Sequence, residues 1–229
     1  SPVKHSTVIS LQRRFEHQFR ALVLAAALAA PAMAYAGPME DAILAEINFA
    51  RMHPQEYARR LQAQPVTPWE RALRQAGQDD NDPDAYAEAV AHLRAQAPLR
   101  PLRADGALAS AALEHVELQG PAGEIGHDGP DGERFYERLR RHGLSETIAA
   151  ENIAYGPPSP AEVVRALIID SGVPSRGHRR NIFHASFQVV GVSCGPHRDY
   201  ATMCVMDFGG TASGLRTAAN DRARPAAEE

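Results

Sequence analysis

The segment that most constrains this chain is its first one, because it sets the compartment in which the rest must fold. Arg13, Arg14 and Arg20 precede an apolar run from Ala21 to Ala30, and Ala34-Tyr35-Ala36-Gly37 follows. A basic stretch, a short apolar core and a small-x-small site are the parts of a secretory signal peptide. The apolar run is about 10–16 residues, short of the roughly 20 that a membrane-spanning helix needs. The segment therefore reads as a leader, residues 1–36, cleaved after Ala36. Residues 37–229 remain, enough for one domain with its own core. The expected location is secreted or periplasmic.

The whole chain carries a formal net charge of −4 at pH 7. The leader holds Lys4, Arg13, Arg14 and Arg20 against Glu16, so the remainder is more acidic than that. Such a chain has no electrostatic reason to hold nucleic acid or an anionic membrane surface. No second apolar segment approaches spanning length, so no transmembrane segment is expected in the mature chain. Export also bears on the two cysteines, Cys194 and Cys204, since pairing is allowed in an oxidising compartment. Both stand in strand-like runs, Val189–Cys194 and Thr202–Phe208, with a turn at Pro196–Tyr200. A hairpin centred on Asp199 places them opposite each other, within reach of a disulfide.

Periodicity orders the rest. Ile43, Ile47, Ala50, Tyr57 and Leu61 recur at helical steps, with Pro54 interrupting. Gln75–Asp84 reads as a loop, Ala85–Gln96 as a short helix and Ala107–Gln119 as another. Gly120–Gly132 is glycine-rich and reads as an irregular loop around His127. Glu133–Arg141 is a charged helix and Ile148–Tyr155 a strand. Ser159-Pro160-Ala161-Glu162 is a capping-box start for a helix running to about Asp170. A helical turn around His178–Phe183 leads into the terminal hairpin, and Thr211–Glu229 reads as a disordered tail. Helices first, then a mixture, then a hairpin make an α+β fold with helices packed on a small sheet.

Four residues stand out chemically. Asp170 shares the apolar face of its helix with Val163 and Leu167, and it sits at the helix C-terminus, where the macrodipole disfavours a carboxylate. It breaks two local rules, so a cation or a histidine should compensate it; a frayed last turn is the alternative. His178 follows Ser175, a candidate N-cap, and either tends to the neutral form there or lies on the surface. Glu151 opens a buried strand and points either to solvent or into a cleft, and His127 lies in a loop beside Asp128. His115, on the same helix face as Leu108 and Ala111, reads as a packed core histidine. His53, His92, His142, His184 and His197 have no motif around them and are expected at the surface. No HExxH, GxSxG, phosphate loop or CxxC pair is present.

The order of these pieces resembles the CAP superfamily of cysteine-rich secretory, antigen 5 and pathogenesis-related proteins, in its bacterial exported branch. Gly126-His127, Glu151-Asn152-Ile153, Asp170 and Gly177-His178-Arg179-x-Asn181-Ile182 carry the resemblance, with Ile47-Asn48-x-x-Arg51 and the terminal strands in support. It implies a three-layer α-β-α sandwich with a small, mostly antiparallel sheet over residues 37–210. It also implies a cleft with His127, Glu151, Asp170 and His178. Leu167 stands where the family has an aromatic, and Asp170 is one methylene shorter than the usual glutamate. Two imidazoles and two carboxylates suit Zn²⁺ or another divalent metal. In that picture the histidines coordinate, and the acids orient them or hold a metal-bound water. A binding or interaction module, with a lipid, sterol or protein partner, is the first functional expectation. A metal-dependent, peptidase-like hydrolase with Glu151 as general base is the alternative. A purely structural quartet is the third.

Overall fold

The computed structural model describes residues 37–80, 82–144 and 148–210. The expected leader and the expected tail lie outside the described residues. The elements run α1 (Pro38–Met52), α2 (Pro54–Ala63), α3 (Pro68–Gln75), α4 (Ala85–Ala95), β1 (Arg103–Ala104) and α5 (Gly106–Ala122), followed by α6 (Phe135–Arg141), β2 (Ile148–Tyr155), α7 (Pro160–Ile169), α8 (Gly177–Ile182), β3 (Val189–His197) and β4 (Ala201–Gly210). None of the described helices is long and apolar enough to cross a membrane.

Local chemistry accounts for most boundaries. Pro54 stands at the first position of α2, where its missing N–H costs nothing, so the chain breaks at His53. Asp105 caps α5 by accepting from the N–H groups of Ala107 and Leu108 at 3.0 and 2.9 Å. Gly123, at φ 70°, ends it in the left-handed conformation. Helix α5 thus continues to Ala122, three residues past its expected end. Helix α3 was not expected. Thr67 and Glu70 form a complete capping box ahead of Pro68, and Arg165 of α7 grips Glu70 at 2.7 and 3.0 Å.

The sheet order is β1-β3-β4-β2, antiparallel except for the β1–β3 pair. Side chains alternate across it. Met203 and Val205 join Ala112, Val116 and Ile153 on the α5 side, whereas Cys204, Met206 and Phe208 pack with Ile43, Ile47, Val163, Leu167 and Ile168 on the other. One layer is therefore α5 with α6, the sheet is the second, and α1, α2, α4, α7 and α8 form the third. This is the expected three-layer α-β-α arrangement.

Cys194 and Cys204 are register partners and form the disulfide, with Cα atoms 4.1 Å apart. Cys194 N–H donates sideways to Glu40 of α1 at 3.0 Å, so the pair is of the non-hydrogen-bonded, closer kind. The bridge closes a sequence separation of 10. Replacing both cysteines by alanine is expected to lower the unfolding free energy by about 2–3 kcal/mol, read as a lower urea midpoint. An unchanged midpoint would mean that the ladder alone holds the hairpin.

Helix α6 is tied to α5 at Glu114, which accepts from Arg141 at 2.5 and 2.8 Å and pairs with His142 at 2.7 Å. The bond from Arg141, ahead of that from His142, pulls the Glu114 carboxyl down to about 2. A folded value below the unfolded one of about 4.3 gives stability that is complete above the latter and lost as pH falls through the former. Glu114→Gln is therefore expected to flatten the stability profile between about pH 4.3 and 2, measured by urea unfolding at stepped pH. A mutant profile parallel to the wild type's would refute the assignment.

Candidate functional site

Strand β2 carries two consecutive polar residues, Glu151 and Asn152, and alternation sends them to opposite faces of the sheet. Glu151 turns toward α5 and is buried, its side chain 2% exposed. Its Oε1 bonds His127 Nδ1 at 2.8 Å, and its Oε2 accepts a very short bond from Arg138 of α6. Arg138 also donates to His115 Nδ1 at 3.0 Å. An arginine has no acceptor to offer. His115 must then carry its proton on Nε2, which donates to the Gly126 carbonyl at 2.9 Å. Burial lowers the basicity of that ring. His115 is the core histidine expected, and it works as a relay between Arg138 and the loop.

That loop is held on every side. The Gly126 carbonyl also accepts from Gln119 Nε2 at 3.0 Å, and Gly126 N–H donates to Tyr155 Oη at 2.9 Å. Tyr155 in turn donates to Gln119 Oε1 at 2.6 Å, and burial raises its phenol to about 12. Gly126 sits at φ 110°, a conformation reserved for glycine. A glycine-rich loop thereby presents one histidine in a defined pose. The His127 ring is 51% exposed at its far edge, and the bond to Glu151 outweighs burial to raise its basicity.

Behind Glu151 stands Asp207 of β4, its register partner, fully buried. Neither oxygen makes a hydrogen bond of normal geometry to any described residue. Burial first and the Glu151 carboxylate second push the Asp207 carboxyl well above the usual range, with Arg138 pulling the other way. Like charges directly opposed in a ladder are unfavourable, so the pair favours a shared or retained proton on Asp207. Sequence reasoning missed both Arg138 and Asp207. For Asp207 the signal existed: an acid in phase with Met203 and Val205 in an otherwise apolar strand.

The second pair is carried by α7 and α8, which belong to the other layer, and α8 also reaches the outer edge of β2, where Asn181 Nδ2 approaches the Glu151 carbonyl at 3.5 Å. Asp170 ends α7 in the left-handed conformation, φ 58°, and is 2% exposed. Its Oδ1 bonds His178 Nδ1 at 2.7 Å, and its Oδ2 accepts from the N–H groups of His178 and Arg179 at 2.9 and 3.2 Å. The compensation expected for this carboxylate is thus a histidine together with the first turn of α8. Ser175 is not the cap: Arg176 takes the N-cap position without a side-chain bond, and Asp170 serves α8 from a distance. Arg179 folds back to the α7 carbonyls of Ile168 and Ile169 at 2.6 and 2.7 Å, locking α8 onto α7. Asn152 Nδ2 donates to the His178 carbonyl at 3.0 Å, tying this pair to β2.

The four expected residues thus form two dyads, His127–Glu151 and His178–Asp170, joined through neighbouring residues of one strand. Among the described residues, no three of His, Cys, Asp and Glu gather closely enough to hold a metal. Each histidine spends Nδ1 on its carboxylate, and its Nε2 bonds no described residue. Every oxygen of the two carboxylates accepts at least one protein donor. Three of the histidines expected at the surface are placed otherwise. His197 is 3% exposed because the hairpin folds onto the end of α5, where its Nε2 reaches the Glu124 carbonyl at 2.9 Å. His92 packs against Phe183 with ring centroids 5.1 Å apart, and His142 pairs with Glu114.

Comparison with known proteins points to one family. The model of the cysteine-rich secretory protein family, CAP, matches residues 87–208, more than half of the chain. The uncharacterized protein YkwD of Bacillus subtilis (strain 168) is 31% identical over 112 residues, which cover 47% of this chain and 42% of that protein. The match thus spans less than half the length of that relative. An SCP-domain extracellular protein from Bacillus anthracis str. Ames has a TM-score of 0.43 at 22% identity, covering 64% of this chain and 45% of that one. An outer surface protein of Borrelia burgdorferi has a TM-score of 0.43 at 24% identity, covering 49% of this chain and 80% of that one. By the family match, the chain belongs to the cysteine-rich secretory protein (CAP) family.

Proposed function

We propose that this is an exported CAP-domain binding module whose two histidines take a divalent metal, Zn²⁺ by donor type, through their Nε2 atoms. The observation that carries the reading is the hydrogen bonding of the two rings. Each Nδ1 is committed to a buried carboxylate at 2.7–2.8 Å, which fixes the tautomer and leaves Nε2 as the ligating atom. Glu151 and Asp170 act outside the coordination sphere as orienting groups, because their oxygens already serve protein donors. A bound metal would supply Lewis acidity and an anchor for a ligand donor atom. The hydrolase reading loses support on the same ground, since both Glu151 oxygens already accept protein donors, Arg138 among them, which weakens the carboxylate as a base toward water. Export rests on the signal-like residues 1–36.

Calorimetric titration of the metal-stripped protein with Zn²⁺ at neutral pH, beside His127→Ala/His178→Ala, tests the reading. One-site saturable binding by the wild type, lost at least about tenfold in the double variant, is expected. No binding by the wild type would reduce the dyads to structural elements.

A further inference from the structure

Each dyad is backed by an arginine, in a different way. Arg138 grips the Glu151 carboxylate directly, and both side chains are almost wholly buried. Arg176 reaches the other dyad through main chain. Its Nη1 donates to the carbonyls of Asp170 and Val173 at 3.0 and 3.1 Å, inside the turn that joins α7 to α8. The same guanidinium donates to Asp82 from Nη1 and Nη2 at 2.6 and 3.3 Å, and to Glu88 of α4 from Nε at 2.6 Å. Asp82 also accepts from the Gly172 N–H at 3.3 Å. A Cβ on Gly172 would stand 2.8 Å from Asp80, so Asp80 and Asp82 both lie against this turn. Two non-glycine residues in it take the left-handed conformation, Asp170 at φ 58° and Arg176 at φ 50°. Such residues stay there only where their surroundings hold them.

We propose that Arg176, strapped to Asp82 and Glu88, is the positioning residue of His178, and that this ionic strap tunes the affinity of the metal site from the α4 side. This rests on the reading of His127 and His178 as metal ligands. The chain of contacts is short. Arg176 holds the Asp170 carbonyl, and the Asp170 carboxylate holds His178 through Nδ1 and through its backbone N–H. Moving the Asp170 backbone therefore moves the group that fixes the His178 ring. A guanidinium suits this place because its planar fork serves two carboxylates and two carbonyls at once, which an ammonium on a single stem cannot copy. The strap also differs from Arg138 in its access to water, since Glu88 is half-exposed and Asp82 is only partly covered. Salt screens exposed pairs and affects buried ones much less. The His178 half of the site is thus the adjustable half, and the His127 half is the fixed one.

The test compares the wild type with Arg176→Met, Arg176→Lys and Asp82→Asn/Glu88→Gln by Zn²⁺ calorimetry, and reads the metal-free histidine rings by ¹⁵N NMR at mildly alkaline pH. Arg176→Met is expected to weaken Zn²⁺ binding about tenfold, as loss of an outer partner of a ligand does. Arg176→Lys should recover at most part of that loss. In the metal-free wild type both rings are expected as the Nδ1–H tautomer, set by their carboxylates. In Arg176→Met the His178 ring should become a mixture of tautomers while His127 stays unchanged. A merely structural arginine would lower the urea midpoint and leave the tautomers and the affinity of the folded chain unmoved. Adding Asp82→Asn to Arg176→Met should cost less than about twofold more, because members of one network are non-additive. Raising a non-coordinating salt from about 0.05 to 0.5 M should move the His178 signals and not those of His127. If Arg176→Met does not fold, Asp82→Asn/Glu88→Gln carries the test with an expected loss of about threefold, since it leaves the main-chain bonds of Arg176 in place. Zn²⁺ binding that stays within about twofold of the wild type's in these variants, with an unmoved His178 ring, would overturn the strap alone. No Zn²⁺ binding by the wild type would sink the metal reading, and a tautomer change confined to His178 would then still uphold Arg176 as its positioning residue.

Discussion

Arg138→Met is expected to lower the unfolding free energy by about 3–5 kcal/mol. Arg138 is 1% exposed and faces Glu151, with Asp207 immediately behind. The methionine fills the space of the stem but removes the one buried cation among two buried carboxyls and strips His115 Nδ1 of its donor. What is lost is mostly compensation for desolvation, not the attraction of an isolated pair. Residues in one network are non-additive, so Arg138→Met/Glu151→Gln should recover more than half of the deficit. Urea unfolding of the wild type, both single variants and the double variant decides it. A loss below about 1 kcal/mol, or a double variant weaker than either single one, would show that Arg138 is not what balances this site.

Gly191→Ala is expected to be at least as damaging, above about 3 kcal/mol, at the upper end for overpacking. Gly191 lies opposite Asp207 in the ladder, on the face covered by α5. A Cβ there would overlap the backbone of Leu108 and Ala109, and no rotamer change can relieve a clash with main chain. Helix α5 would have to lift from the sheet, taking His115 and Gln119 away from the loop that presents His127. The measurement is again the urea midpoint, joined to the His127 ring signal. A stable variant with an unmoved His127 signal would contradict this account of how the helix seats.

Both effects concern residues whose importance is invisible along the chain. Arg138 lies in a run of charges that reads as a solvated helix face, and it is buried because α6 is drawn under the loop by Glu114 and the α5 contact. Helix α3 is a different kind of miss. Its start, Thr67-Pro68-x-Glu70, repeats the grammar of Ser159-Pro160-x-Glu162, but no apolar periodicity follows to mark a helix; none of its residues is buried. Asp170 and the cysteine pair were legible, for opposite reasons. An acid on an apolar helix face demands a partner, and two cysteines equidistant from a turn have one geometry available.

Local rules written in the residue order sufficed for the helix starts at Pro54 and Ser159, the hairpin with its bridge and the α+β order, whereas the four dyad residues were singled out together only by the family resemblance. Those rules act within a few residues of the chain, through φ restriction, capping and side-chain period. The pairing of His127 with Glu151 and of His178 with Asp170, the further protein donors on both carboxylates, and the burial of Arg138 and Asp207 were decided only by tertiary structure. They depend on which strand lies outermost and which helix covers which face. Free energies of burial and charge compensation settle those choices between segments far apart in sequence.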